Sequence, residues 1–208
     1  MNNDKGVNMF KSKTMFFKSA LLMFGFALMA SKAYSNGAIT GTIGTDIEKN
    51  KENAVVYLKG VSGPASPKTV TIEQHHLKFI PKVTTIPVGS TVVFTNHDKI
   101  YHNVFSVSEA KKFNLHTYDP GKAKQVTFER QGVVNLLCNV HPEMSAWVVV
   151  TENRYAAVTD KGGNFTISDV PPGTYEIAVW SEKLKPQESS KVTVTDGNST
   201  KMDIKLGD

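Results

Sequence analysis

Cys138, His141 and Met144 share the run C-N-V-H-P-E-M, and a further imidazole, His102, stands upstream in the run Y-H-N-V-F. The first run puts a thiolate, an imidazole and a thioether on one short loop. His102 must reach them from another segment. Thiolate and thioether sulfur favour Cu(I), whereas imidazole and thiolate favour Cu(II). A set that offers all of these suits one copper ion that gains and loses a single electron. The expected geometry is a trigonal plane of His102, Cys138 and His141 with Met144 as a weak axial ligand, a type 1 (blue) copper site with one ion per chain. Zinc is the other metal that a Cys-His-His set accepts. Structural zinc sites fill all four positions with Cys or His, and Met144 fits poorly there.

Cys138 is the only cysteine in the chain, and the compartment sharpens its meaning. Lys11, Lys13 and Lys18 precede the apolar run Ser19 to Ala30, and Ser31-Lys32-Ala33 has the form of a small-residue cleavage site. Residues 1–33 therefore read as a cleavable secretory signal peptide, which places the protein in the periplasm. The apolar run is shorter than the ~20 residues a membrane helix needs, so no stable membrane span is expected. Exported proteins usually pair their cysteines. A single leftover thiol points to an intermolecular disulfide, a reactive thiol or a metal ligand, and the nearby His and Met select the metal.

The formal net charge of +5 comes mostly from residues 1–33, where Lys5, Lys11, Lys13, Lys18 and Lys32 face only Asp4. The remainder is nearly neutral and holds no basic run. A nucleic-acid partner would need a concentrated basic surface, so none is expected.

The remaining 175 residues must build the frame that holds the ligands. They read as all-β: short runs rich in Val, Ile, Thr and Phe, separated by turns. Gly89 to Asn96 puts Val92 and Phe94 on one face, and Gln125 to Arg130 does the same with Val126 and Phe128. Tyr175, Ile177 and Val179 repeat the pattern, as do Met202, Ile204 and Leu206. Such alternation means one buried and one wet side, as in a sandwich. Pro87-Val88-Gly89, Asp160 to Gly163, Pro171-Pro172-Gly173 and Asp196-Gly197-Asn198 mark turns. Ser108 to Phe113 has room for a short helix.

Residues 68–152 contain every metal-type motif: Phe79 to Asn96, then His102 to Phe105, then Cys138 to Met144. This stretch resembles a cupredoxin, a Greek-key β-sandwich that binds copper at one end. Its C-x2-H-x2-M loop is similar to the short ligand loop of amicyanin rather than the longer plastocyanin and azurin loops. Ala157 to Val179 (A-V-T-D-K-G-G-N-F-T-I-S-D-V-P-P-G-T-Y-E-I-A-V) resembles the carboxypeptidase-regulatory-like domain, a transthyretin-type sandwich. The opening strands of that domain match Ile39 to Gly60 instead of the residues just before Ala157. The resemblance thus implies residues 37–60 and 153–208 as one smaller sandwich, with a copper domain over 61–152 inserted into it. A plain tandem is the alternative. The combination is similar to cupredoxin-like accessory proteins associated with methylamine utilisation.

The cupredoxin resemblance implies further roles. Asn103 ties the two ligand segments together, and its backbone N–H points at the cysteine sulfur. Val140 stands where plastocyanin-like loops often have proline, which lacks an N–H, so it restores a second donor to that sulfur. His141 is the edge through which electrons pass to a redox partner docked nearby, with Pro142 and Glu143 beside it. Trp147 reads as a core strand residue and Trp180 as packing in the second sandwich. His97 and His116 read as solvated. His75 and His76, adjacent in a strand, would face opposite sides and at most load copper transiently. Copper oxidases and nitrite reductases need extra His ligands, often as His-x-His pairs, and a dinuclear purple site needs a second Cys. This chain has neither, so no enzyme activity is expected. The function expected is single-electron transfer between protein partners; the alternative is copper storage, delivery or sensing. The sequence does not set the oligomeric state.

Overall fold

A computed structural model describes residues 35–61, 65–185 and 189–207. The signal peptide expected over 1–33 lies outside the described residues. Among the described residues, seventeen strands and one short 3-10 turn, Glu48–Asn50, make up the regular structure. The strands are β1 (Gly37–Gly44), β2 (Val55–Lys59), β3 (Thr69–Gln74), β4 (Phe79–Ile80), β5 (Val83–Pro87), β6 (Ser90–Asn96), β7 (Phe105–Ser106), β8 (Phe113–Asn114) and β9 (Ala123–Phe128). They continue as β10 (Gly132–Leu137), β11 (Ser145–Thr151), β12 (Ala156–Val158), β13 (Asn164–Val170), β14 (Gly173–Trp180), β15 (Ser190–Val194), β16 (Ser199–Lys201) and β17 (Ile204–Lys205).

Four sheets result. Two of them, β5-β11-β10-β7-β8 and β4-β3-β6-β9, use only strands between Thr69 and Thr151. They enclose a core that includes Phe94, Phe128, Leu136 and Val148, all fully buried. Burying each such side chain contributes about 1.5–3 kcal/mol. The alternation read from the sequence is present here: β6 buries Val92 and Phe94, and β9 buries Val126 and Phe128 while Thr127 stays exposed. β5 runs parallel to β11, and β3 parallel to β6. Parallel neighbours require crossover connections, which is how a Greek-key sandwich closes.

The other two sheets are β12-β2-β14-β15 and β13-β1-β16, with β17 also pairing with β1. They surround Ile39, Leu58, Ile167 and Val194. Among the described residues, β1 and β2 therefore pair only with strands that follow Asn153 in sequence, and no strand pair joins them to β3 through β11. The outgoing and returning chain segments are bonded to each other. The Asn153 side chain donates to the Leu58 carbonyl at 2.9 Å, and the Gly60 N–H donates to the Glu152 carboxylate.

A third apolar cluster lies between the sandwiches: Val55, Val83 and Val149, with Tyr57, Val133, Trp147, Val158 and Trp180 packed on them. β11 explains it. Ala146, Val148 and Val150 face the first core, while Trp147 and Val149 face the second sandwich. Both faces of β11 are covered, so A-W-V-V-V shows no polar alternation. The Trp147 and Trp180 rings meet 5.4 Å apart. Trp147, expected as a core strand residue, and Trp180, expected as packing in the second sandwich, thus pack on one another.

The helix expected at Ser108 to Phe113 is absent. The chain makes one turn, with the Lys111 N–H bonded to the Ser108 carbonyl, and then enters β8. The Ser108 hydroxyl accepts the Asn135 N–H at 2.9 Å. This tie to β10 fixes Ser108 against the sheet, and the side-chain bond competes with helix formation.

Candidate metal centre

The candidate ligands converge where three segments meet at one end of the first sandwich. β10 ends at Leu137, and Leu137 pairs with Phe105 of β7. That pairing holds the residue before Cys138 against the segment that follows His102. His102 itself forms an isolated bridge with Tyr118, its N–H bonded to the Tyr118 carbonyl at 3.3 Å and the reverse bond at 2.9 Å. The loop from Cys138 returns to β11 through a tight turn in which the Met144 N–H donates to the His141 carbonyl at 3.0 Å.

One ligand atom each from His102, Cys138 and His141 lie within 4.8 Å of one another. His102, Cys138 and Met144 are buried, and His141 is half-buried. Met144 is 1% exposed and packs in the same core as Cys138. His102 Nδ1 faces His141 Nδ1 at 3.2 Å. Two nitrogens bound to one ion at about 2.0–2.1 Å and at roughly tetrahedral to trigonal angles lie about 3.2–3.6 Å apart. The imidazole pair thus has the spacing that a shared metal requires, and the donor set of two imidazoles and a thiol, with Met144 buried in the same core, fits copper.

Asp98 sets the His102 tautomer. Its Oδ2 lies 2.8 Å from His102 Nε2. A carboxylate only accepts, so Nε2 carries the proton and Nδ1 keeps a free lone pair toward His141. The same carboxylate accepts the N–H groups of His76 at 2.7 Å and Leu77 at 3.1 Å. Burial pushes the Asp98 carboxyl up, but the bonds from Leu77, His102 and His76 together outweigh it and hold it below the ordinary value of 3.8.

A buried polar network supports the loop that carries His102. Fully buried Gln74 donates to the Asn103 carbonyl at 3.2 Å and accepts from the Tyr118 hydroxyl. Burial and the nearby Cys138 push the Tyr118 hydroxyl well above its usual range, so it stays a neutral donor. Asn96 donates to the Ile100 carbonyl at 2.8 Å and accepts the Asp98 N–H at 3.0 Å. Paired networks of this kind hold one geometry.

The other sequence-predicted residues fall as follows. Asn103 is buried between the ligand segments. Both ends of its side-chain amide are satisfied when the nitrogen donates to Asn139 Oδ1 at 3.0 Å and the oxygen accepts the His116 N–H at 3.2 Å. Among the described residues no hydrogen bond reaches the Cys138 sulfur from Asn103 or Val140, and Val140 is 42% exposed. His75 and His76 do not face opposite sides, because β3 ends at Gln74 and the two rings stack 3.9 Å apart. Asp98, Gln74 and Tyr118 were not singled out in the sequence. Only Asp98 had a local signal, standing one helical-type step of four residues before His102.

Comparison with known proteins places two families on these residues. Residues 67–151 match the sequence model of copper binding proteins of the plastocyanin/azurin family. Residues 142–207 match that of the carboxypeptidase regulatory-like domain. The second match overlaps β11 and leaves out β1 and β2, which complete its sheets. A comparison with curated proteins found no match.

Among solved structures, the chain is similar to a copper-containing nitrite reductase from Thermus scotoductus, with 29% identity and a TM-score of 0.40. That match covers 45% of this chain and only 25% of the reductase. It is also similar to a purple cupredoxin from Nitrosopumilus maritimus, with 29% identity, a TM-score of 0.36 and coverage of 39% and 99%. A reduced amicyanin variant is 21% identical with a TM-score of 0.38, over 46% of this chain and 98% of that one. On the family matches, the chain combines a copper-binding domain of the plastocyanin/azurin family with a carboxypeptidase regulatory-like domain.

Proposed function

We propose that this protein carries single electrons between protein partners, using one type 1 copper held by His102, Cys138 and His141 with Met144 as the weak axial ligand. The observation that carries this reading is the 4.8 Å cluster of those three side chains, held on strand ends and a tight loop inside a copper-binding domain. Bound copper would supply the one-electron couple. The chain supplies a frame that barely moves between oxidation states. Asp98 fixes the His102 ring, Gln74 and Tyr118 fix its loop, and the buried Met144 closes the site against water.

His141 is the one ligand with partial exposure, so its outer edge is the port for electrons. Val140, next to His141, and Tyr101, next to His102, are exposed apolar residues. Exposed apolar side chains beside the ligands suit a transient redox partner. In this reading the protein is not an enzyme, and it works in the periplasm after removal of residues 1–33. Among the described residues no helix is long and apolar enough to cross a membrane.

We further infer that the copper domain over 61–152 is inserted between the second and third strands of the smaller sandwich. Support comes from the pairing of β1 and β2 with later strands and from the bonded crossing segments at Leu58, Gly60 and Asn153.

Cyclic voltammetry of the copper-loaded protein tests the carrier role. The expected result is one reversible one-electron wave per chain with fast exchange. A slow, irreversible wave with copper lost on reduction would reject the carrier and favour storage or delivery.

A further inference from the structure

Outside the copper centre, three of the six histidines of the chain come together at one corner of the first sandwich. The sheet itself brings two of them there. β3 and β6 run parallel, with Gln74 opposite Asn96. The next residues, His75 and His97, extend that register, and the His97 N–H donates to the Gln74 carbonyl at 2.8 Å. Neighbours in register on parallel strands project from the same face. Their rings lie 6.2 Å apart.

The third histidine arrives through a turn. The N–H and carbonyl of His75 bond to the carbonyl and N–H of Lys78 at 3.0 and 3.2 Å. This closes a two-residue hairpin between β3 and β4. His76 and Leu77 have φ of 53° and 58°, the left-handed conformation that a type I′ turn requires at both central positions. Neither is glycine, so the turn is strained and must be held. Asp98 holds it, accepting both N–H groups. The turn folds the His76 ring back over His75, 3.9 Å away.

The copper centre provides the measure of what this spacing allows. The His102 and His141 rings, which share one ion in the reading above, have centroids 4.9 Å apart. In the second cluster His75 and His76 are 3.9 Å apart but stacked at 21°, whereas His102 and His141 meet edge-on at 66°, so the stacked rings must turn apart before both offer in-plane lone pairs to one ion. His76 and His97 are exposed and His75 is half-buried, so the rotamer changes that open the stack are available on the ps–ns scale.

We propose that His75, His76 and His97 form a second metal site that takes Cu(II) through imidazole nitrogen alone. Imidazole suits divalent copper, nickel and zinc, and Cu(II) binds such sites most tightly of these. The site needs no thiolate and is independent of the redox reading of His102, Cys138 and His141.

The test is a Cu(II) titration of the full chain followed by EPR. The first equivalent saturates the thiolate band. The expected second equivalent binds without that band and gives a wide copper hyperfine splitting with nitrogen coupling. His75→Gln and His97→Gln should each weaken the second equivalent at least about tenfold and leave the first unchanged. His116→Gln, outside both clusters, should alter neither. In Cys138→Ser, adding His75→Gln and His97→Gln should remove one nitrogen-coupled equivalent and leave the one that His102 and His141 can still hold, which separates this site from failure of the thiolate site. A second equivalent that stays as the aquo ion, or one indifferent to His75→Gln and His97→Gln, overturns the proposal.

Discussion

Asp98 Oδ2 and His102 Nε2 lie 2.8 Å apart, and through this contact one carboxylate joins His102 to the turn at His76 and Leu77. In the proposed site it fixes the ring that would present Nδ1 to the metal. Carboxylates behind metal-bound histidines commonly tune both affinity and potential.

Asp98→Ala should therefore weaken copper binding about 10–100-fold. It should also raise the reduction potential, because removing a negative charge beside the ion disfavours the more positive oxidation state. A competition titration with a chelator and a voltammogram measure the two effects. An unchanged affinity and potential would mean that the contact is only structural.

The depressed carboxyl of Asp98 also gives a pH dependence. A group whose pKa is lowered on folding adds stability that is fully present above its unfolded value and disappears as pH falls through the folded one. The ordinary value is 3.8. The stability difference between the metal-free protein and its Asp98→Asn variant should thus be constant above about pH 5 and shrink below 3.8. Urea unfolding across that range provides the check. A difference that shrinks at neutral pH would assign the effect to another group.

Tyr118→Phe should cost about 1–3 kcal/mol, because it leaves the buried Gln74 carbonyl oxygen without its hydroxyl donor. The copper absorption should survive, since Tyr118 supplies no ligand. Denaturant unfolding and a visible spectrum of one preparation read both outcomes. Full stability would show that the buried network does not matter.

Trp147 and Trp180 join the two sandwiches, with ring centroids 5.4 Å apart. A double-mutant cycle to alanine should give a coupling of about 0.5–1.5 kcal/mol, as for other aromatic pairs. Limited proteolysis adds a topological test, in which fragment 37–60 should stay with the C-terminal part. Zero coupling, or a 37–60 fragment that follows the copper domain, would contradict the inserted arrangement.

How much of this was legible in the sequence depends on the range of the interaction. The ligand run at Cys138 to Met144 and the alternation in β6 and β9 are local, and each could be read directly. Trp147 was readable as a packed strand residue, but its partner Trp180 was not, because the two meet only where the second sandwich covers the outer face of β11. His75 and His76 were misread because alternation holds only inside a strand, and β3 ends at Gln74. The left-handed turn that follows has no glycine or asparagine to announce it. Gln74 and Tyr118 are 44 positions apart in the chain and meet only through the fold, so no local pattern marks their bond.

The measurement that tests the central claim most directly is visible absorption and EPR of the protein with one equivalent of Cu(II), with Cys138→Ser as the control. The account predicts an intense blue thiolate band and a narrow copper hyperfine splitting, lost in Cys138→Ser and bleached reversibly by ascorbate. Copper bound without the thiolate band, or no difference between the native protein and Cys138→Ser, would contradict it.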